Sequence, residues 1–257
     1  MPKLMEGKAG IVTGAGSGIG RASAMSFANE GAKVMVSDIL LESGEETVRL
    51  IKETGGDACF IQCDVSNEDS VKELVDQTIE KYGKLDFAHN NAGISNPPAD
   101  IVNLKSIDWE RTLKVNLDGL YYALKYEIQA MLKFGGGAIV NTASHSGLKG
   151  TPRKGAYVAT KWGVNGITKT VALEYARQGI RVNSICPSMT LTPMLERYFE
   201  QAPDQAEIIK NSFPLKRVGT IEEQANAAVW LCSDKASYIT GVNLAVDGGL
   251  SSQSYPS

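Results

Sequence analysis

Residues 9–20, with the sequence A-G-I-V-T-G-A-G-S-G-I-G, decide the fold of this chain. The short apolar run of residues 9–13 stops at a glycine-rich turn, and residues 21–30 then have helical periodicity that ends at Gly31. This order predicts a strand, a tight turn and a helix. In such a unit a pyrophosphate can approach the main chain of the turn and meet the positive end of the helix dipole. Glycine also serves ordinary tight turns, so the position of this turn is stronger evidence than its composition.

The same alternation of short apolar segments and helices continues along the chain. Strand-like segments lie at residues 9–13, 33–37, 58–62, 85–88, 138–141, 180–185 and 242–246. Seven such segments separated by helices predict an α/β fold: a Rossmann-like, doubly wound sheet of seven parallel strands with helices on both faces. No linker, repeat or low-complexity tract interrupts the pattern, which favours one domain over two.

Within a single domain over residues 1–257, we expect residues 1–100 mainly to bind a dinucleotide and residues 101–257 to supply catalytic and substrate-binding groups. The longest departure from the strand and helix pattern is the proline-containing segment 187–217. Loops of this length in compact domains are often lids over active sites, so residues 187–217 are predicted to cover the substrate.

Composition excludes several classes of function. The 26 basic and 29 acidic residues are interspersed, so nucleic acid is not an expected partner. No apolar run reaches the roughly eighteen residues needed to span a bilayer, which predicts a soluble cytoplasmic protein with no membrane association. The 4 cysteines form no C-x-x-C pair and only 2 histidines are present, so we expect no metal site.

A second candidate site lies at residues 144–161, S-H-S-G-L-K-G-T-P-R-K-G-A-Y-V-A-T-K. Tyr157 and Lys161 would lie one turn apart on the same face of a helix. A tyrosine has a pKa of about 10, and a nearby ammonium favours the phenolate, which brings proton exchange closer to neutral pH. Ser144 can hold the same substrate oxygen by a hydrogen bond. Tyr-x-x-x-Lys alone also fits a surface helix with a solvated lysine, so the pair needs support from the rest of the chain.

Asp38 is the residue predicted to select the cofactor. It follows the second strand-like segment, where a carboxylate can accept hydrogen bonds from the ribose hydroxyls of an adenine dinucleotide. The same charge repels a 2′-phosphate, and Ser17 in the turn offers no cation to receive one, so NAD is favoured over NADP. The alternative role for Asp38 is a solvated loop residue or helix cap. Asp64 and Val65 end the third segment, where they could contact the adenine ring.

With candidate residues for both cofactor binding and catalysis identified, the chain resembles the short-chain dehydrogenase/reductase family in its single-domain form. The matching motifs are T-G-A-G-S-G-I-G at 13–20, Asp64, N-N-A-G at 90–93, Asn116, Ser144, Y-V-A-T-K at 157–161, Pro187 with Thr192, and D-G-G at 247–249. Each motif alone is weak, but their combination spans nearly the whole chain and outweighs the surface-helix alternative. The asparagines of residues 90–93 could contact the cofactor or simply bind the main chain of the glycine turn.

The resemblance implies reversible hydride transfer between NAD and a secondary alcohol or ketone. Tyr157 is then the catalytic acid/base, Ser144 orients the substrate oxygen, and Lys161 lowers the tyrosine pKa and binds the nicotinamide ribose. Asn116 either helps a water chain carry the proton to solvent or is a satisfied polar residue that interrupts its helix. Thr192 holds the nicotinamide carboxamide. The predicted cofactor-binding residues are Gly14, Ser17, Gly18, Ile19, Gly20, Asp38, Asp64, Val65, Asn91, Ala92, Gly93, Tyr157, Lys161, Pro187, Thr190 and Thr192.

The substrate is predicted only as a class. The segments expected to line its pocket mix apolar and polar side chains, which suggests a cyclic or otherwise bulky hydrophobic alcohol. Lys149, Arg153 and Lys154 lie near the active-site loop and could bind an anionic substrate group, or be solvated loop residues. Ser188 stands where the family has glycine after Pro187, so the contacts of that loop are expected to differ.

Two rival functions remain open. A 3-oxoacyl-type ketoreductase uses the same chemistry, although such enzymes more often carry a basic, NADP-selecting turn than an acidic residue such as Asp38. A non-catalytic dinucleotide-binding sensor would not need Ser144, Tyr157 and Lys161, all of which are present. Family members form dimers and tetramers through the helices that here contain Asn116 and Tyr157, so the resemblance also implies a homo-oligomer.

Overall fold

The apolar runs of the sequence form a central sheet of seven parallel strands. The computed structural model describes residues 3–253, apart from the side chains of residues 193 and 194; residues 1–2 and 254–257 of the predicted domain lie outside the described part. The strands, in chain order, are β1 (Ala9–Thr13), β2 (Lys33–Asp38), β3 (Asp57–Gln62), β4 (Phe87–Asn90), β5 (Gly137–Thr142), β6 (Ile180–Pro187), β7 (Thr190–Leu191), β8 (Gly219–Thr220) and β9 (Asn243–Val246). Strands β7 and β8 pair only with each other, and the other seven form the central sheet.

Helices cover both faces of this sheet. They are α1 (Gly18–Asn29), α2 (Leu41–Glu53), α3 (Glu68–Tyr82), α4 (Ser106–Leu113), α5 (Gly119–Lys133), α6 (Gly155–Tyr175), α7 (Pro193–Gln201), α8 (Pro203–Asn211) and α9 (Ile221–Cys232). One buried apolar cluster joins the sheet to α3, α5 and α6 through Leu74, Leu124 and Val164. A second joins it to α1 and α9 through Phe27 and Val229. The predicted doubly wound α/β fold with seven parallel strands is therefore confirmed.

The strand order β3-β2-β1-β4-β5-β6-β9 decides where a ligand can bind. The chain moves outward in one direction from β1 to β3, returns to the middle with β4, and then moves outward in the other direction. Gly10 of β1 is therefore paired on one side with Val34 and on the other with Phe87. At such a reversal the loops after β1 and β4 diverge and leave a crevice at the carboxyl edge of the sheet.

The helical region around Asn116 is interrupted. Helices α4 and α5 are joined by a π-helical turn, Lys114–Asp118, with Asn116 buried at its centre. A single π-turn inside an α-helix adds a residue to one turn and is frequent at functional sites. Here it turns the Asn116 side chain toward the loop that follows β4, where the amide bonds the main chain of Ile94.

The predicted lid, residues 187–217, is more regular than its prolines suggested. After β7 it forms the two helices α7 and α8, each of which begins with a proline in the first turn, where proline is tolerated. Phe213 and Val218 are buried where the segment returns to α9. Within residues 3–253, no helix combines the length and the hydropathy that crossing a bilayer would require.

Candidate active site

A cleft of about 770 Å³ opens at the carboxyl edge of the sheet, between the loops that follow β1 and β4. It is lined by most of the predicted cofactor residues: Gly14, Ser17, Gly18, Ile19, Asp38, Asp64, Val65, Asn91, Ala92, Gly93, Tyr157, Lys161 and Thr192. Residues separated by more than 100 positions in sequence therefore share one cavity. Its size suits a drug-sized or cofactor-sized ligand.

The glycine turn forms one wall of the cleft. Residues with a Cβ would be strained or would not fit at several of its positions. Gly14 and Gly18 have φ of 61° and 51°, in the left-handed region that favours glycine. A Cβ on Gly14 would lie 2.8 Å from the Cα of Ala92, and one on Gly20 would lie 2.1 Å from the carbonyl oxygen of Gly14. Gly20 lies outside the cleft lining, so its role is to let α1 pack against the turn.

The first turn of α1 is free to bind an anion. Its N-cap residue, Ser17, makes no side-chain cap hydrogen bond, and the first turn contains no acidic residue. The amides at the start of a helix lack partners within the helix and carry its positive dipole end. Gly18 and Ile19 of this turn line the cleft, so the turn fits a pyrophosphate.

Asp38 lies at the end of β2 and lines the same cleft. One carboxylate oxygen accepts a hydrogen bond from the Gly16 amide at 2.8 Å, and the other accepts one from the Leu40 amide at 2.9 Å. The carboxylate is thus fixed beside the turn, where a ribose would lie. Arg21, which the sequence analysis did not single out, donates to Thr47 Oγ1 at 3.0 Å and ties the turn to α2.

The loop after β4 is held to the glycine turn by Thr13 and Asn91. Thr13 Oγ1 accepts from the amides of Asn91 and Ala92, each at 3.1 Å. The Asn91 amide donates in return to the carbonyls of Thr13 and Gly14, at 3.1 and 3.3 Å. Asn91 therefore has the turn-binding role that the sequence analysis left open, and it also lines the cleft.

Tyr157 and Lys161 lie one turn apart on α6 at the other end of the cleft. The Lys161 ammonium lies 5.5 Å from the centre of the Tyr157 ring and donates to the carbonyl of Thr142 at 2.7 Å. Burial lowers the pKa of Lys161 to about 8. Burial also raises the pKa of Tyr157, and hydrogen bonding to Ser144 opposes that rise.

Burial dominates the pKa of Tyr157, so the net shift is upward. Lys161 is expected to lower this pKa, and desolvation of the half-buried phenol raises it. Ser144 is itself buried and is fixed by accepting a hydrogen bond from the Ser146 amide at 3.1 Å.

Asn116 is hydrogen-bonded at both ends of its amide. Its oxygen accepts from the Ile94 amide at 2.8 Å, and its nitrogen donates to the Ile94 carbonyl at 2.8 Å and to Thr160 Oγ1 at 3.0 Å. A small cavity of about 20 Å³, lined by Asn116, Lys161 and Asn90, lies next to it and has room for about one water molecule. The predicted water chain through Asn116 stays a prediction.

The remaining predicted residues lie at the edge of the site or beneath it. Pro187 is buried at the end of β6, and Thr190 Oγ1 donates to the carbonyl of Ser188 at 3.1 Å. Thr192 lines the cleft and caps α7 by accepting from the Leu195 amide at 3.3 Å. The Ser188 hydroxyl is buried without a hydrogen-bond partner in the described residues.

Several cleft residues were missed by the sequence analysis. They are Ile39, Cys63, Arg111, Val115 and Thr142. Thr142 could have been found, since it ends β5 and strand ends face the ligand crevice. Arg111 had no signal, because nothing in the helical pattern of α4 distinguishes it from a solvated arginine.

The three loop cations are hydrogen-bonded to the chain itself. The Lys149 ammonium donates to two carbonyls of residues 250–253, at 3.1 and 2.8 Å. Arg153 and Lys154 donate to residues 95–98. The anionic-substrate hypothesis for these cations gains no support from this geometry. Within residues 3–253, no three histidine, cysteine, aspartate or glutamate side chains cluster as metal ligands would.

Comparison with known proteins extends these observations over nearly the whole chain. Residues 14–251 match the family model described as enoyl-(acyl carrier protein) reductase. A 2,5-dichloro-2,5-cyclohexadiene-1,4-diol dehydrogenase of Sphingobium indicum is 42% identical over 246 residues, which cover 95% of this chain and 97% of that protein. A cyclohexanol dehydrogenase of Acinetobacter sp. strain SE19 is 40% identical over 253 residues, 98% of each chain. The solved structure of NAD⁺-bound xylitol dehydrogenase is 35% identical, with a TM-score of 0.91, and covers 96% of this chain and 100% of that one.

Proposed function

The chain belongs to the short-chain dehydrogenase/reductase family and is an oxidoreductase, and we propose that it interconverts a secondary alcohol and a ketone with NAD(H). The observation that carries the proposal is that one cleft has Asp38 at one end and Tyr157 with Lys161 at the other. A carboxylate at the ribose end and an acid/base pair at the reacting end are what such a reaction requires.

The cofactor fits the residues that are present. The free amides at the start of α1 would bind the pyrophosphate, Asp38 would accept from the ribose hydroxyls, and Thr192 would hold the carboxamide. The negative charge of Asp38 is also the reason to favour NAD over NADP. When bound, NAD⁺ accepts a hydride at C4 of its nicotinamide ring, and NADH donates one in the reverse direction.

Proton transfer is assigned to the chain's own side chains. In alcohol oxidation, the Tyr157 oxygen takes the hydroxyl proton while the Ser144 hydroxyl orients the same substrate oxygen. Because burial makes the phenolate costly, Tyr157 needs a positive charge nearby, and Lys161 with a pKa of about 8 is mostly charged at neutral pH. The proton would then leave past Lys161 through the small cavity beside Asn116.

A cyclic or otherwise bulky secondary alcohol is the proposed substrate class. The two dehydrogenases described above act, by their names, on a cyclohexadiene diol and on cyclohexanol. Ile94 gives the cleft an apolar wall near Tyr157. The description of the matching family model keeps a 3-oxoacyl-type ketoreductase as the second candidate. Asp38 argues against that candidate where it depends on NADP.

The test is an assay with NAD⁺ and NADP⁺ against a panel of cyclic secondary alcohols, steroids and polyols, following the absorbance of reduced nicotinamide. We expect turnover with NAD⁺, and Tyr157→Phe should lower kcat by about 10²- to 10⁴-fold while the Kd for NAD⁺ is retained. Full activity in Tyr157→Phe would contradict the proposed mechanism. Binding of NAD⁺ without turnover of any alcohol or ketone would favour a sensor.

Cofactor choice is tested in the same assay with two variants of Asp38. Removing the charge-assisted hydrogen bonds to ribose in Asp38→Ala should lower kcat/KM with NAD⁺ by roughly 10-fold or more, and the NADP⁺ to NAD⁺ ratio should rise. Asp38→Asn removes the charge but keeps an acceptor for the Gly16 amide, so it separates selectivity from the fold of the turn. A wild-type preference for NADP⁺ would overturn the assignment of NAD.

A further inference from the structure

We propose that Asn96 is a positioning residue for Tyr157, holding the main chain of the catalytic tyrosine against the loop that follows β4. Asn96 is 2% exposed, and its side-chain oxygen accepts a hydrogen bond from the Tyr157 amide at 3.0 Å. The inference rests on the proposed function in one respect, that Tyr157 is the acid/base.

The first turn of α6 needs a hydrogen-bond acceptor for its free amides. The first amides of a helix have no acceptor within the helix, and a side chain at the N-cap usually supplies one. The N-cap residue of α6 is Lys154, which makes no side-chain cap hydrogen bond. Asn96, 61 residues earlier in the chain, supplies the acceptor instead. The cap is therefore a tertiary contact, and the amide that it holds belongs to Tyr157 itself.

The side-chain nitrogen of Asn96 fixes the orientation of the amide group. Its nitrogen donates to the carbonyl of Pro97 at 2.7 Å and to that of Arg153 at 3.4 Å. Arg153 has φ of 66°, an uncommon conformation for a residue with a Cβ. Its carbonyl also accepts from the Ala99 amide at 3.1 Å. Strained residues of this kind persist where surrounding contacts over-determine them, often at functional sites.

Lys154 adds a second tie between the same two segments. Its ammonium donates to Ser95 Oγ at 3.0 Å and to the carbonyl of Asn96 at 2.9 Å. Ile94, at the other end of this short strip, is held through both its amide and its carbonyl by Asn116. The strip 94–96 is therefore clamped on one side by Asn116 and on the other by α6.

This clamp sets where the acid/base lies relative to the cleft. Ile94 and Ser95 line the cleft, and Tyr157 lies on the helix that the strip holds. A displacement of about 1 Å in a reacting group can cost on the order of 10²-fold in rate. Loss of Asn96 should therefore reduce kcat more than it reduces cofactor binding, because the side-chain hydrogen bonds of Asn96 go to Pro97, Arg153 and Tyr157 and not to the glycine turn or Asp38.

The experiment compares wild type with Asn96→Ala, Asn96→Asp and a matched control, Asn67→Ala. Asn67 caps α3 by accepting from the Ser70 amide at 3.2 Å, so its loss also removes a helix cap. We expect Asn96→Ala to lower kcat by about 10- to 100-fold with the Kd for NAD⁺ changed by less than about 3-fold. Asn67→Ala should lower the melting temperature comparably and leave kcat unchanged.

Asn96→Asp gives a readout of how close residue 96 lies to the phenol. The carboxylate keeps the acceptor for the Tyr157 amide, loses the donor to Arg153, and brings a negative charge toward the phenol. That charge should raise the pKa of Tyr157, so the kcat profile for alcohol oxidation should shift to higher pH. Ultraviolet titration of the phenolate, with Tyr157→Phe as the baseline, measures the same shift without any turnover.

The outcomes separate the two proposals. If Tyr157→Phe is fully active, the proposed function fails, whatever the Asn96 variants do. If wild type turns over but Asn96→Ala changes only the melting temperature, as Asn67→Ala does, the positioning role is overturned. If no substrate turns over, a raised Tyr157 pKa in Asn96→Asp still supports the proposed contact between residue 96 and Tyr157. An unchanged Tyr157 pKa would contradict that proposal.

Discussion

Glu127 is a carboxyl group buried inside the molecule, and it plays no part in the proposed chemistry. It lies on α5 with 1% of its surface exposed, and Asn90 donates to it at 2.9 Å. The Asn90 amide also donates to Asn141 at 3.1 Å. Burial raises the pKa of Glu127 to about 7, and the bond from Asn90 opposes the rise. The folded protein therefore holds a proton on Glu127 that the unfolded chain releases near its ordinary pKa of 4.5.

This difference in proton binding predicts a pH-dependent stability. Between about pH 4.5 and 7 the native state binds more protons, so the free energy of unfolding should fall as pH rises. The total loss is of the order of 3 kcal/mol, complete above the folded pKa. Glu127→Gln keeps an acceptor for Asn90 without an ionisable proton. Its stability relative to wild type should be similar near pH 4.5 and higher at pH 8.

Urea unfolding at about pH 5, 6, 7 and 8 measures the free energy of unfolding at each pH and so tests this prediction. Glu80→Gln, at an exposed position on α3, controls for loss of one negative charge. A Glu127→Gln variant whose advantage over wild type does not grow between pH 5 and 8 would contradict the assignment.

Sequence reasoning identified the residues of the proposed site but not their electrostatic environment. Tyr157, Lys161 and Asp38 were identified because each has a chemical type and a place in the strand and helix pattern. The buried state of Glu127 and the capping role of Asn96 depend on which side of a loop or helix meets the core. That information comes from packing between distant segments, as does the burial that raises the Tyr157 pKa.

At the scale of secondary-structure elements, a short sequence motif marks where α9 begins. Thr220 Oγ1 accepts from the Glu223 amide at 3.2 Å, and the Glu223 carboxylate accepts from the Thr220 amide at 2.9 Å. This reciprocal pair is a capping box, recognisable as Thr-x-x-Glu before an apolar run. Arg217 pairs with Glu223 at 2.6 Å and fixes the same carboxylate.

Removing the cap should destabilise the protein without affecting chemistry. Thr220→Ala loses the acceptor for the Glu223 amide, which should cost about 1 kcal/mol and lower the melting temperature by roughly 2–4 °C. Thr220→Ser keeps a hydroxyl and should restore most of the loss. Differential scanning calorimetry of the three proteins is the measurement, and equal melting temperatures for Ala and Ser would show that the hydroxyl is not the cause.

The seven strands of the central sheet were predicted within two residues, and the deviations have physical reasons. Strand β4 begins at Phe87 and not at residue 85, because pairing with β5 starts there. Asp86 instead accepts from the Ala9 amide through its side chain at 2.8 Å. The π-turn at Asn116 was anticipated only as a polar interruption, since its geometry depends on the bonds to Ile94. Helical periodicity in residues 187–217 was partly hidden by prolines that in fact begin α7 and α8.

At the scale of the whole molecule, α5 and α6 expose large apolar side chains that the single chain does not cover. Tyr121 on α5 is 50% exposed, and Trp162 and Leu173 on α6 are 53% and 82% exposed. Contiguous exposed apolar surface on a globular protein often marks an interface. These are the helices through which the family resemblance implies a homo-oligomer.

We expect the wild-type protein to be a dimer or tetramer, with Trp162 at the interface. Trp162→Glu places a charge where an apolar ring would be buried, so it should shift the protein to the monomer at micromolar concentration. Leu41→Glu, at an exposed position on α2, introduces the same charge away from these helices and should leave the assembly unchanged. Light scattering coupled to size exclusion measures the mass of all three proteins. A monomeric wild type, or a Trp162→Glu variant with the wild-type mass, would show that these helices do not hold subunits together.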